Sequence, residues 1–217
     1  SEGMERLVNV EKLHLHENNA LGLLPEGIET WTGLTELLLN NNVLQTLPEG
    51  LSNLVNLTAL TLYNNQLISL PTNIGNLTLL TEFLVYNNKL QSIPESVSNL
   101  TNLTKLHLYN NELSAIPSNI GNLIKLTELP LYNNNITILP ENVDQLVELT
   151  MFPLHHNKLS QLPANSGNLT KLTEWELQSN EIQALPPSIG DLTNLTYLNV
   201  DSNKVSFVPT SIGNLTN

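Results

Sequence analysis

A proline recurs every 23 residues along almost the whole chain, and this period restricts the fold more than any other feature of the sequence. Nine prolines keep the step without interruption: Pro25, Pro48, Pro71, Pro94, Pro117, Pro140, Pro163, Pro186 and Pro209. Eight asparagines keep the same step: Asn42, Asn65, Asn88, Asn111, Asn134, Asn157, Asn180 and Asn203. Such a period is typical of repeat proteins, in which each repeat is one structural unit and neighbouring units stack. Residues 1–217 are therefore predicted to form a single domain of about nine repeats.

The apolar residues within one repeat predict its local structure. We number the repeats so that repeat 3 begins at Leu57, and each later repeat begins 23 residues after the one before it. Leu60-Thr61-Leu62 alternates in polarity, as a short strand with inward-facing leucines does. Pro71 ends the extended segment, and Ile74 and Leu77 then have the spacing of one helical or 3₁₀ turn. The inward-facing Asn65 is expected to bond to backbone groups of neighbouring loops, because an unpaired buried amide is costly.

The pattern L-x-x-L-x-L-x-x-N-x-L, continued by L-P-x-x-I-x-x-L, resembles leucine-rich repeat proteins. It is most similar to the 23-residue Ras-group repeats of Roco proteins, plant intracellular Ras-group-related proteins and many bacterial repeat proteins. The resemblance covers all nine repeats. It implies an α/β fold: a right-handed horseshoe solenoid with a concave parallel β-sheet and convex turns, 3₁₀ or short helices. It also implies a binding role, but no particular target.

The two ends of the array depart from the pattern. Repeat 1 has one extra residue between Asn18 and Leu21, and it carries Trp31 where a leucine is expected. Repeat 9 stops at Asn217 without the polar cap that solenoids need for solubility. We therefore expect either a fragment of a longer protein or self-association through the uncapped C-terminal repeat.

Composition narrows the classes of function. The chain has 20 acidic and 8 basic side chains, a net charge of −12 and no cysteine. The negative charge disfavours nucleic acid as a partner, and the lack of cysteine excludes disulfides and thiolate chemistry. No apolar stretch approaches the ~20 residues that cross a bilayer. The chain has eight N-x-T sequons, most of which are explained by duplication of N-L-T. With the missing cysteines they favour a cytoplasmic or a bacterial secreted or surface location over a eukaryotic extracellular one. They are Asn56, Asn76, Asn99, Asn102, Asn135, Asn168, Asn194 and Asn214.

The last strand position of each repeat is predicted to face the hollow of the solenoid, and in repeats 3 to 6 it is always tyrosine. The tyrosine row consists of Tyr63, Tyr86, Tyr109 and Tyr132. Adjacent strands lie about 4.8 Å apart, so the four rings are expected to span roughly 15 Å. Tyrosine is enriched at binding hot spots, which makes this row the leading candidate for a contact surface. The alternative is that duplication alone placed the tyrosines, whose stacking stabilises the sheet.

Two further columns flank the tyrosine row. The middle strand position includes Leu84, His107, Pro130 and Pro153, and its apolar members are expected to face solvent beside the tyrosines. The two prolines also predict a gap or flattening of the sheet near repeats 6 and 7. The first strand position includes Glu82, Lys105 and Glu128, with alternate glutamates about 10 Å apart. Acidic groups beside aromatic ones favour a partner with a basic surface, although acidic side chains also simply keep a protein soluble.

All five histidines are predicted to lie on the concave side, and four of them form two pairs. His14 and His16 share a strand face near Glu17, while His155 and His156 are adjacent six strands away. Neither pair supplies the three or four ligands of a zinc site, so no metal is predicted. Motifs for nucleophile elbows, phosphate loops and zinc hydrolases are absent, and the chain is predicted not to be an enzyme and to need no cofactor.

The sequence therefore favours a non-catalytic scaffold that binds a protein or peptide on its concave face, with His155 also in the contact surface. Two alternatives stay open at this stage. One is an extracellular carbohydrate-binding module, since aromatic rows beside asparagines also suit sugars. The other is metal-dependent binding at the histidine pairs.

Overall fold

The computed structural model describes residue 7 and residues 9–216, and in this range successive repeats stack into a solenoid. Residues 1–6, 8 and 217, which include the C-terminal end of repeat 9, lie outside the described residues. Seven three-residue strands are present in the described part of the chain: β1 (Lys12–His14), β2 (Glu36–Leu38), β3 (Ala59–Thr61), β4 (Glu82–Leu84), β5 (Lys105–His107), β6 (Glu174–Glu176) and β7 (Tyr197–Asn199).

The strands pair in parallel with the register that the period predicts. β1 to β5 form one five-stranded sheet in chain order, and β6 pairs with β7 in a second sheet. Ala59 lies opposite Glu82 in the regular part, whereas Lys12 lies opposite Glu36, so the first step includes the extra residue. The chain accommodates that residue in a turn where both Glu17 and Asn19 have positive φ angles.

Short 3₁₀ helices form the opposite side of each repeat. They cover Ile28–Thr30, Glu49–Asn53, Ile74–Asn76, Glu95–Asn99, Ile120–Asn122, Glu141–Gln145, Ser166–Asn168, Pro187–Asp191 and Thr210–Asn214. The repeating proline lies one or three residues before each start, where its fixed φ and missing N–H are tolerated. At Gly75 any side chain would collide with the backbone carbonyl of Ser96 in the next repeat, so glycine allows these turns to pack closely.

One continuous apolar core runs along the solenoid. The inward positions of the regular repeats are fully buried, as Leu60, Leu62 and Leu67 show. Each such side chain contributes roughly 1.5–3 kcal/mol of transfer free energy when it is buried. Trp31 occupies its predicted leucine position and is 2% exposed. Strands of three residues are stable here because each repeat covers the apolar edge of the one before it.

The recurring asparagine forms the predicted ladder. The Asn65 amide nitrogen donates to the carbonyls of Leu39 and Leu62, both at 3.0 Å, and its Oδ1 accepts from the Leu44 N–H at 3.0 Å. Asn88 and Asn111 repeat the arrangement one and two units later. Each buried amide thus satisfies backbone groups of two repeats, which fixes the spacing between them.

Candidate functional site

The tyrosine row forms a continuous stack on the concave side of repeats 3 to 6. Ring centroids of successive tyrosines lie 4.5, 4.4 and 4.5 Å apart, with interplanar angles of 5°, 11° and 12°. His155 extends the stack by one ring, at 4.6 Å from Tyr132 and an angle of 17°. The parallel strands produce this geometry because they bring equivalent residues to the same height at every step.

Stacking covers the faces of the internal rings, and each of the four tyrosines stays partly exposed. Burial is the main cause that raises the pKa of Tyr86, Tyr109 and Tyr132 above the ordinary value. The rise is large for Tyr109, because burial and both neighbouring phenols, Tyr86 and Tyr132, all raise its pKa. These hydroxyls therefore stay protonated at neutral pH and can both donate and accept hydrogen bonds.

The middle column contributes less exposed surface than its sequence predicts. Leu84 and Pro153 are half-exposed, but Pro130 is buried, so its predicted exposure on the concave face is wrong. A compact proline ring stays close to the sheet, while the longer side chains beside it extend further out. His107 fills the column in repeat 5, where its Nε2 lies 2.8 Å from a carboxylate oxygen of Glu128.

Charged groups of the first column form ion pairs across the strands. The Lys105 ammonium lies 3.4 Å from Glu82 and 3.7 Å from Glu128. Both carboxylates raise the pKa of Lys105, with Glu128 the larger cause. Positive charge thus balances much of the acidic column beside the tyrosine row, and the mutual repulsion of its glutamates is small.

The histidine pairs do not assemble a metal site. His14 and His16 have ring centroids 5.9 Å apart, but the His14 Nε2 contacts Glu36 at 2.7 Å and the same carboxylate also pairs with Lys12. His155 and His156 meet edge to face at 5.2 Å. Across residues 9–216 no group of three or more histidine, cysteine, aspartate or glutamate side chains has the arrangement of a metal site. The geometry gives the metal-binding alternative no support.

The regular sheet ends at the two prolines, as their missing N–H groups predict. Repeats 6 and 7 contribute only isolated bridges, in which Glu128 pairs with Lys105 and with Met151. The step between repeats 6 and 7 nevertheless keeps the Leu129 to Met151 backbone bond at 2.9 Å. The sheet opens between repeats 7 and 8, where residues 150–153 face residues 173–176. We name this interface between the two repeats the open step. A pocket of about 280 Å³ lies there.

Two features of the concave side were missed at the sequence level. Exposed or half-exposed asparagines with positive φ form a second ladder, with Nδ2 to Oδ1 distances of 2.6 to 2.7 Å; they are Asn41, Asn64, Asn87, Asn110 and Asn133. The recurrent Asn-Asn doublet was the available signal, since asparagine tolerates the left-handed conformation. The open step was also missed. Its signal in the sequence was the pair of aromatic residues, Phe152 and Trp175, at the buried strand centre of two successive repeats.

Comparison with family models agrees with this geometry. A model described as "Leucine-rich repeat region" matches residues 49–152 and 133–217, and one described as "Leucine rich repeat" matches residues 8–67. The chain belongs to the leucine-rich repeat family. Proteins of this family generally act in protein–protein interaction. The matches do not specifically confirm the Ras-group class. A comparison with curated proteins finds no match.

Solved structures of leucine-rich repeat proteins resemble this chain over most of its length. A leucine-rich repeat protein of Leptospira interrogans is 38% identical, with a TM-score of 0.82 over 90% of this chain and 50% of that one. An internalin of Listeria monocytogenes, InlF, is 28% identical, with a TM-score of 0.82 over 98% and 62%. The Arabidopsis receptor kinase HAESA, in complex with the peptide hormone IDA and the co-receptor SERK1, is 31% identical, with a TM-score of 0.79 over 90% and 34%.

The leucine-rich repeat array therefore spans less than two thirds of each of these three proteins. Within residues 9–216, no helix has the length and apolar character that a bilayer crossing requires.

Proposed function

We propose that this leucine-rich repeat array is a non-catalytic scaffold that binds a protein or peptide through the tyrosine row on its concave face. The observation that carries the proposal is the continuous stack from Tyr63 to His155, which is half-exposed along its length. A rigid aromatic surface with aligned hydroxyls loses little conformational entropy on binding and offers donors and acceptors at a regular spacing.

The similar receptor kinase structure supports a peptide as the partner class, because HAESA is in complex with a peptide hormone. The surroundings of the row fit the same class. Leu84 adds apolar area, while Glu82, Lys105 and Glu128 form a polar rim of ion pairs, with His107 bonded to Glu128. An apolar centre with a polar rim is the usual composition of a protein interface. Self-association through the C-terminal repeat stays a prediction.

The ring stack disfavours the carbohydrate alternative. Sugars pack their apolar faces on aromatic ring faces, but here each internal ring is covered on both faces at 4.4 to 4.6 Å. Ring edges and hydroxyls remain for a ligand. An extended peptide can use those edges, since its side chains and amides contact the surface at successive points.

A peptide display experiment tests the proposal. A random dodecapeptide library on phage would be selected against the wild-type protein, and the selected peptides measured by calorimetry against Tyr86→Ser/Tyr109→Ser. We expect a loss of affinity of about a hundredfold, because both residues lie in the centre of the row. The matched control is Ile124→Ser/Ile138→Ser, which changes two exposed apolar residues outside the concave columns. If every selected peptide binds the tyrosine variant and the wild type equally, the tyrosine row is not the contact surface.

A further inference from the structure

At the open step, the backbone bonds that join the strand starts of neighbouring repeats are lost. At the other steps the residue before the strand donates its N–H to its counterpart in the preceding repeat, as Thr127 does to Thr104 at 2.8 Å and Thr150 to Thr127 at 2.9 Å. The threonine hydroxyl usually repeats the same contact. Within residues 9–216, Thr173 alone makes neither bond, and the Thr150 carbonyl is left without its usual donors.

The inward side chains explain why the sheet opens here. Leucine is the usual residue at the buried strand centre, but repeats 7 and 8 carry Phe152 and Trp175 in succession. Their rings stack with centroids 6.2 Å apart, which exceeds the ~4.8 Å spacing of neighbouring strands. Packing two large aromatics in adjacent repeats therefore separates the backbones at the start of the strands.

The opening is a tapering pocket. Further along the strands, the Leu154 N–H still donates to the Glu176 carbonyl at 2.9 Å, so normal spacing returns within a few residues. A whole peptide strand would need about twice the normal spacing and cannot enter. The pocket admits the end of one side chain, between Met151 and Pro153 on one wall and Glu174 on the other.

The charge of the pocket is negative and uncompensated. Glu174 and Glu176 both line it, and among the described residues neither carboxylate forms an ion pair with a lysine. His155 approaches one of these carboxylates, with its Nε2 3.4 Å from Glu176. Burial lowers the pKa of His155, so the imidazole is neutral at pH 7. This differs from the tyrosine row, where Lys105 balances the glutamates.

We propose that the open step is a subsite for an arginine side chain of the peptide or protein partner. The guanidinium group is planar and has five donors, which suit the released Thr150 carbonyl together with the carboxylates of Glu174 and Glu176. Its aliphatic stem packs against Met151, which is 48% exposed and lies beside Glu174 in the first column. The assignment rests on the proposed function, because it names one side chain of the partner that the concave face binds.

The test uses small probes and therefore does not need the natural partner. Backbone amide signals of the ¹⁵N-labelled protein would be recorded by NMR with increasing N-acetyl-arginine-amide, and with the citrulline and lysine amides for comparison. We expect shifts at Met151, Phe152 and Glu174 with arginine, and a response at least tenfold weaker with the neutral isostere citrulline. Equal responses to arginine and citrulline, or to arginine and lysine, would overturn the assignment, as would no response to any probe.

Two variants separate the charge from the shape of the pocket. Glu174→Gln/Glu176→Gln keeps the surface shape and should weaken the arginine response at least tenfold, whereas Glu148→Gln/Glu181→Gln makes the same charge change elsewhere and should not. Phe152→Leu keeps both carboxylates but narrows the step, so it should also abolish the response. If the Phe152 variant is unstable, the comparison of Glu174→Gln/Glu176→Gln with the wild type still tests the proposal. An undiminished response of Glu174→Gln/Glu176→Gln to the arginine amide contradicts the proposal.

The two proposals fail separately. Tyr86→Ser/Tyr109→Ser should leave the arginine-amide response unchanged, because neither residue lines the pocket. Tyrosine-dependent peptide binding without an arginine response would overturn the subsite alone. An arginine response without tyrosine-dependent peptide binding would overturn the tyrosine row alone.

Discussion

Repeats 3 to 6 and repeats 7 to 8 derive from the same 23-residue pattern, yet they present different surfaces. The first region is closed: its strands pair in register, its tyrosines stack and its charges form pairs. The second region is open: backbone groups are released, a pocket forms and, among the described residues, two carboxylates have no lysine or arginine partner. The difference indicates that the buried aromatics of repeats 7 and 8 alter the concave surface, because two large rings in succession keep neighbouring backbones apart.

The largest expected change in stability comes from the buried asparagine ladder. Its variants show whether the opening of the sheet is confined to the starts of the strands. Asn111 in the closed region and Asn180 beside the open step each make the same three buried bonds, to two carbonyls and one backbone N–H. Alanine at either position should lower the free energy of unfolding by about 3 kcal/mol, because it leaves buried backbone groups unpaired. Urea denaturation measures both values. A much smaller loss at Asn180 would mean that the asparagine ladder is also loosened there.

The next effect concerns the ring stack of the closed region. Tyr109→Ala removes contacts with a ring on each side and should lower the free energy of unfolding by about 2 kcal/mol. Tyr109→Phe keeps the stack and is the control for the hydroxyl. Thermal and urea denaturation of both variants give the comparison. Equal stability of Tyr109→Ala and the wild type would mean that the stack contributes nothing to the fold.

Hydrogen exchange compares the two regions directly. The amide of Glu174 at the open step should exchange at least roughly tenfold faster than that of its counterpart Glu128, which donates to Thr104 at 3.2 Å. Phe152→Leu should slow the exchange of Glu174 by narrowing the step. Native-state exchange monitored by NMR would measure both amides in one sample. Equal protection of Glu174 and Glu128 would contradict the open geometry.

The smallest effect lies at the boundary between the regions, where His155 ends the stack and contacts Glu176. Burial lowers the pKa of His155 below 6.5, so the folded protein binds a proton less readily than the unfolded chain. Stability from this group is complete above pH 6.5, falls as the pH drops towards the lowered pKa, and is constant below it. His155→Asn should remove this component of a pH series of urea midpoints. An unchanged pH dependence would mean that His155 is not the group responsible.

Much of the closed region could be predicted from the sequence. The proline and asparagine periods predict the stacking, the ladder of Asn65 and its equivalents, and the alignment of the tyrosine row. These features follow from residue spacing alone, because parallel strands in register bring equivalent residues together. The single-domain boundaries and the contact residues at the tyrosine row stay predictions, whereas the exposure expected for Pro130 was wrong.

The position of the opening could not be predicted in the same way. The prolines in repeats 6 and 7 point to a disturbed sheet, yet the lost bonds lie one step further on. A proline removes one backbone hydrogen-bond donor. Phe152 and Trp175 instead act through the volume of their rings, which keeps the backbones of repeats 7 and 8 apart. Backbone bonding depends on distances of a few tenths of an ångström, which a residue pattern does not specify.

The sequence by itself determined the repeat, the buried residues and the order of side chains along the concave columns. Tertiary structure alone decided that the tyrosine faces are covered, that Lys105 bridges two glutamates and that the sheet opens beside Glu174. The physical reason is that a period fixes which residues become neighbours. How closely they approach depends on the shapes of side chains that meet only after the repeats have stacked.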